Sequence, residues 1–481
     1  MAGGSRASAD VSPTPAAAAA APPGVSGPIP QALFRLALPI LASQALRLAY
    51  QWIDALWVRG LGVDATAAVT TSVFVMWWIY SINDVIAVGV VAYVSQLLGA
   101  GERQRAGVAA YHGVRASLVL GLVGTAIGVF GARTIYGWMG ATAGVLEQGE
   151  RYLSLVLGGA PFILLVLTGQ SVLRAAGDSR TPFWIDAAAV ALNTALAPLL
   201  IYGVGPLPRL GVAGAAWATV IAQAGAALTY LVVALRGHRA FPLARRAPGP
   251  PIHIGPIARV GAPVAVIGML FSAVYIVFSS SASRFGAASL AIVGIANRVE
   301  ALSFLIAVAI GIAGATLVGQ NLGAGRPERA AEVIRTALRW SLGVGAVVTT
   351  VFMLFPSLFI GLFTADPEVH RIGVPYLRIL AGCLVFSAVE IAVGEAVLGS
   401  GHTLAISIIY TATSLVRLPL AFWVPDWTGQ GVQAIAWVIS VTCVVRALLI
   451  VGWTARGTWK KGLKTDLMTG AGGFTPPMQS G

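Results

Sequence analysis

The chain has 481 residues, 57% of them apolar and only 10% charged, with a net charge of +13 and a mean hydropathy of +0.82. A soluble protein carries roughly 45–50% apolar and about 25% charged residues, so this chain cannot cover a core of its own size in water, and a soluble enzyme is excluded. The basic residues fall in short loops between apolar runs, where they set membrane topology, and so do not point to nucleic acid.

In chain order, residues 1–30 are rich in Ala, Pro, Gly and Ser. They read as a disordered tail; the short alanine run with no basic leader argues against a cleaved signal peptide. Apolar segments follow at 33–58, 65–98, 105–131, 150–176, 181–203 and 211–236, within a first lobe of residues 31–236. A linker at 237–256, with Arg239, Arg245, Arg246, Pro248, Pro250 and Pro251, precedes a second lobe at 257–455 and a tail at 456–481. The second lobe carries segments at 257–283, 289–322, 330–355, 371–400, 404–424 and 431–455. At about 20 apolar residues per span, twelve transmembrane helices are expected.

The halves repeat. Gln96-Leu97-Leu98-Gly99-Ala100-Gly101 matches Gln320-Asn321-Leu322-Gly323-Ala324-Gly325, an offset of 224 residues that also pairs Pro39 with Pro263, Arg105 with Arg329, Tyr152-Leu153 with Tyr376-Leu377, and Gly177 with Gly401. Later, Gly211-Val212 and Ala216-Trp217 match Gly431-Val432 and Ala436-Trp437 at an offset of 220. Six spans per half make the repeats parallel, related by an axis along the membrane normal, with substrate expected near their interface. With the N-terminus inside, fifteen Lys and Arg, Arg6, Arg239 and Lys464 among them, fall on the cytoplasmic side against six outside. Both termini are therefore expected in the cytoplasm of a cell whose inner (plasma) membrane holds the chain.

On this duplicated frame, Leu38-Pro39, Asp54-Ala55-Leu56-Trp57-Val58, Gln320 to Gly325, Leu173-Arg174-Ala175-Ala176-Gly177-Asp178, Asn193 to Pro198 and Gly211 to Thr219 resemble the multidrug and toxic compound extrusion (MATE) transporters. The resemblance covers residues 30–455 and implies export of drugs or metabolites by alternating access, driven by inward flow of H⁺ or Na⁺. It also implies that the first-helix acid, Asp54, works with an Asn and a Thr, which Asn193 and Thr219 match. A second acid of the family's set is replaced here by Ala197. A Na⁺ ion needs several oxygen ligands, so its loss favours H⁺ as the coupling ion.

Acids and arginines within membrane spans are functional candidates by default. Asp54 lies toward the outer end of its helix, the alternative being an interfacial acid paired with Arg47 or Arg59. Asp84, beside Asn83, falls mid-depth in the second helix, and its counterpart at the repeat offset is Val308; it serves either the cavity or proton path or a structural ion pair. Glu300 and Glu390 share similar depth with Arg417 and Arg446, and Glu395, five residues past Glu390, falls on a different face. They form either a neutralising network or a site in which Glu390 and Glu300 bind a cationic substrate or proton and Arg417 orders the set. Asp186 reads as a first-turn acid favoured by the helix dipole. Trp77, Trp78, Tyr80 and Tyr275 are candidates to line a cavity for planar cations. The Gln-x-x-Gly-Ala-Gly segments read as helix stops. Cys383 and Cys443 read as small buried side chains.

No nucleotide-binding Gly-x-x-x-x-Gly-Lys run is present, and the five histidines are scattered, so no cofactor or metal is expected. The expected partners are small amphipathic cations and the bilayer. One chain already holds both halves of a transport unit, so a monomer is expected. A flippase of lipid-linked precursors is the main alternative, disfavoured by the acids at mid-membrane. A membrane-embedded transferase would want an Asp-rich Mg²⁺ motif, which is missing.

Overall fold

The computed structural model describes residues 24–204, 208–237 and 241–463. Most of the expected N-terminal tail, the whole chain beyond residue 463, and Arg6, Arg239 and Lys464 lie outside the described residues. The chain is all-α. The first half comprises α1 (Ile29–Arg59), α2 (Val63–Gly99), α3 (Arg103–Trp138), α4 (Ala143–Gly158), α5 (Ala160–Ala175), α6 (Arg180–Tyr202) and α7 (Val212–Leu235). The second comprises α8 (Ile254–Ser283), α9 (Ala287–Gly323), α10 (Pro327–Leu354), the short α11 (Pro356–Gly361), α12 (Pro367–Leu398), α13 (Thr403–Thr428) and α14 (Val432–Ala455).

Among the described residues eleven helices are long and apolar enough to span a bilayer, and α4 with α5, bent by 51°, make a twelfth. The bend falls at Gly159-Ala160-Pro161. Pro161 has no N–H to continue the ladder from α4, and its ring crowds the preceding turn. At the repeat offset the residue is Val385, and α12 runs through unbroken. The sequence places one span here; the proline divides it into two helices.

The lobes interlock rather than merely abut. Ile29, Leu33, Leu36, Ala37 and Ile40 of α1 are buried in a cluster with α9, α10 and α12 of the second half. Past Pro39 the same helix returns to its own half, where Val58 joins the first lobe's core. α8 does the reverse: Ile257 and Val260 sit in a cluster with α2 and α3, and beyond Pro263, Val274 and Phe278 pack in the second lobe. Each proline thus marks where a helix crosses from one lobe to the other.

Glycine lets the crossings close. A Cβ at Gly89 would lie 2.0 Å from the Ile257 carbonyl oxygen, and one at Gly261 2.3 Å from that of Val85. Small residues are how helices approach closely where lipid offers no hydrophobic drive between them. Gly89→Val or Gly261→Val is expected to cost about 1–3 kcal/mol, because backbone cannot yield as a side chain can. Thermal unfolding in detergent checks this, with Gly343→Val, which opens onto empty space, as the variant expected to leave Tm unchanged.

Candidate functional site

Two polar clusters sit inside the helical frame, one per lobe. In the first lobe, α1 presents Arg47, Tyr50 and Asp54 at spacings of three and four, which places them on one face. Tyr50 Oη and Thr219 Oγ1 share a hydrogen bond of 2.9 Å. Asn193 Nδ2 donates to Thr219 Oγ1 at 3.3 Å and to Tyr50 Oη at 3.5 Å. These side chains border a cavity of about 100 Å³ that also touches Arg47, Tyr80, Gln170 and Asp186. At its other end Gln170 bridges two charges: its Nε2 donates to Asp186 Oδ1 at 2.8 Å, and its Oε1 accepts from Arg47 Nη2 at 3.4 Å.

Asp54 stands one turn beyond Tyr50 and is only 7% exposed. Its Oδ1 has no hydrogen-bond partner, and among the described residues neither Arg47 nor Arg59 forms an ion pair with it. The interfacial-pair alternative for Asp54 does not hold. Ala197, where the family's second acid is absent, is fully buried in the apolar core.

Asp186 is a correction. It lies past the first turn of α6 and faces the cavity. The seven residues separating it from Asn193 are two helical turns, so both occupy the same face. The signal was in that spacing, as it was in the Arg47, Tyr50, Asp54 series.

Asn83 is buried, its Oδ1 accepting from Thr168 at 3.4 Å and Ser117 at 3.5 Å. Asp84 points elsewhere, to the boundary between lobes, where it stands within Coulomb reach of Glu395 on α12. A structural ion pair for Asp84 is not present among the described residues. Trp77 reaches the same boundary, its ring 6.0 Å from that of Phe271, which is 4.8 Å from Tyr275. Tyr80 borders the first-lobe cavity. Trp78 is 52% exposed and turns away from both groups, so the four candidate aromatics do not form one lining.

In the second lobe, Glu390 is 3% exposed and its Oε1 accepts from Arg446 Nη1 at 3.2 Å. Arg446 also donates to Thr413 Oγ1 at 2.8 Å and to Ser414 Oγ at 3.4 Å, and lies 4.8 Å over the ring of Tyr410. Glu390 Oε2 is left without a partner. Glu300 is held separately, accepting from Tyr275 Oη at 2.9 Å. Arg417 bonds neither acid. It donates to Thr442 Oγ1 at 2.7 Å and to Cys443 Sγ at 3.1 Å, both on α14. The four-charge neutralising network is therefore one ion pair, Glu390–Arg446, and Arg417 ties α13 to α14 instead of ordering the acids. Both cysteines are buried and free.

Two pseudo-equivalent helical bundles, buried in apolar surface and each enclosing polar groups that the other lacks, define a multi-pass membrane transporter. The MatE family profile matches residues 39–199 and again 263–423, two segments set apart by the same 224 residues as the internal repeat. The chain belongs to the MatE family.

It is 28% identical over 434 residues to a probable multidrug resistance protein, NorM, of Thermotoga maritima, covering 89% of this chain and 93% of that one. It is 28% identical to the probable multidrug resistance protein YoeA of Bacillus subtilis, covering 90% and 94%. It is 27% identical to a FAD transporter of Shewanella oneidensis, covering 72% and 76%. Among solved structures, the fold matches a MATE in the bent conformation at a TM-score of 0.85 and 24% identity, over 91% of this chain and 97% of that one. A MOP superfamily transporter from Pyrococcus furiosus matches at 0.83 and 23%, over 92% and 98%.

The geometry of the second lobe makes a prediction about stability. Removing one member of a buried pair leaves an uncompensated charge, which costs about 3–5 kcal/mol, whereas replacing both by apolar residues is close to neutral. Arg446→Met is expected to lower the unfolding midpoint sharply, and Glu390→Leu with Arg446→Met to recover most of the loss, both read by unfolding in detergent.

Proposed function

We propose that the chain exports amphipathic small molecules, organic cations among them, across the plasma membrane in exchange for H⁺ by alternating access of the two lobes. In this reading the face that carries both chain ends is cytoplasmic, one chain is a complete transport unit, and the gradient alone supplies the energy. The names of the relatives support extrusion of compounds.

The observation that carries the coupling is Asp54. A buried carboxylate with an oxygen that nothing satisfies is costly in low dielectric; a proton removes the charge. Proton binding and release at Asp54 then changes what the Tyr50, Asn193 and Thr219 cluster one turn away can hold, which gives the ion a differential effect on the two states. Ala197 offers no carboxylate to complete a cage for Na⁺. For the substrate, Asp84 and Glu395 come from opposite lobes within electrostatic reach of each other, and Trp77 and Phe271 pack across the boundary between lobes, an arrangement suited to an aromatic cation. Glu300 on α9 and Glu390 on α12 supply further negative charge, and Arg417 serves by tying α13 to α14, against which α12 packs.

A second reading has its own support. Arg47 borders the first-lobe cavity with no ion pair among the described residues, and one relative is named for FAD. An anionic amphiphile would find a partner there.

The test is efflux from proteoliposomes with imposed H⁺ or Na⁺ gradients, using a cationic dye and FAD as probes. H⁺-driven dye efflux that falls at least tenfold in Asp54→Asn is expected. Na⁺-driven efflux would overturn the proton assignment, and FAD moved in place of the dye would favour the second reading.

A further inference from the structure

The Gln-x-x-Gly-Ala-Gly segments do more than stop helices. At the face that carries the chain ends, α2 and α9 cross with their backbones touching: a Cβ at Gly99 would meet the Gln320 carbonyl oxygen at 2.0 Å, and one at Gly323 that of Gln96 at 1.9 Å. At this crossing Gln96 Nε2 donates to the Gly399 carbonyl at 2.9 Å, and Gln320 Nε2 donates to the Ala175 carbonyl at 3.0 Å. Gly399 and Ala175 are themselves repeat equivalents, each at the end of the helix before a loop, each in the lobe opposite its glutamine. Both glutamines are almost fully buried, Gln96 at 2% exposure and Gln320 at none.

The other end of each amide is held by the first or the last described residue. Gln320 Oε1 accepts from the Gly24 N–H at 3.2 Å and Gln96 Oε1 from the Leu463 N–H at 3.0 Å. The N-terminal segment is fastened further by Asn321 to the Gly24 carbonyl, Arg326 to that of Val25 and Arg329 to that of Gly27, each at 2.9 Å. An amide can point either way round in its socket, and its surroundings decide which. A backbone N–H at Oε1 forces the NH₂ toward the opposite lobe's carbonyl. These backbone N–H groups thus set the direction in which each glutamine donates.

We propose that Gln96 and Gln320 form a twofold clasp that holds the lobes together at this face, and that the segments around Gly24 and Leu463 are straps that keep it fastened. The proposal rests on the alternating-access reading, since a state open on this face must break both bonds. Glutamine and strap are positioning elements: they touch no substrate and act by biasing the equilibrium between the two states. One net hydrogen bond is worth about a factor of five in an equilibrium, and two about a factor of thirty.

The experiment is hydrogen exchange by mass spectrometry on the full chain in lipid nanodiscs, with the unmodified protein's proton-driven efflux measured alongside. The variants are Gln96→Ala, Gln320→Ala, the two together, and Leu463→Pro, which deletes a strap N–H outside the spans, with Leu463→Ala as the control that removes the same buried side chain and keeps the N–H. The expected result is opposite movement at the two faces. Exchange rises at residues 93–101 and 317–325 and falls at 63–72 and 287–296, about fivefold in single variants and more in the double. Leu463→Pro follows Gln96→Ala. A mere loss of stability would raise exchange at both faces, and that result, or a rise confined to the strap itself, overturns the proposal. Opposite movement without any efflux by the unmodified protein would sustain the clasp and defeat the transport reading instead.

Discussion

Hydrocarbon offers a polar group no partner, so every polar atom that these helices bury must be satisfied by the chain or left at a cost. The architecture follows from how that demand is met. In the second lobe Arg446 spends its donors on Glu390, Thr413 and Ser414, and Arg417 spends its own on α14. In the first lobe Tyr50, Asn193 and Thr219 satisfy one another, and Asp54 Oδ1 beside them is left over. An orphan oxygen on a titratable group is where a mobile ion has work to do.

The duplication supplies the same frame twice and the sequence fills it differently. At the repeat offset Asp54 corresponds to Phe278, which is buried against Tyr275. Asn193 corresponds to Arg417, and each reaches a threonine on the last helix of its lobe, Thr219 or Thr442. The shared positions keep a helix-to-helix tie while the chemistry at them diverges. Two lobes that pack alike can therefore hold unlike charges.

Where the lobes meet, geometry is set by glycine and by exchanged helix halves. α1 and α8 each give about their first third to the opposite lobe, so displacing one lobe against the other would bend these helices instead of simply parting a flat interface. The prolines at positions 39 and 263 stand at the crossover, where a missing backbone donor makes bending cheap.

Composition and the internal repeat were enough to determine a duplicated twelve-span membrane protein, because lipid demands long apolar runs and a repeat leaves its register in the chain; a set of short motifs carried the family resemblance. Residue types also flagged Asp54, Glu390 and Arg446, since a charge inside a span is conspicuous wherever it points. What the sequence could not decide was pairing. That Arg417 avoids the acids, that Asp186 joins Asn193 at one cavity and that Gln96 reaches Gly399, 303 residues away, all depend on which helix faces turn toward each other. Those faces are chosen by backbone contacts at a few glycines and by the bend at Pro161, and a one-dimensional pattern carries no record of which distant helix they will touch.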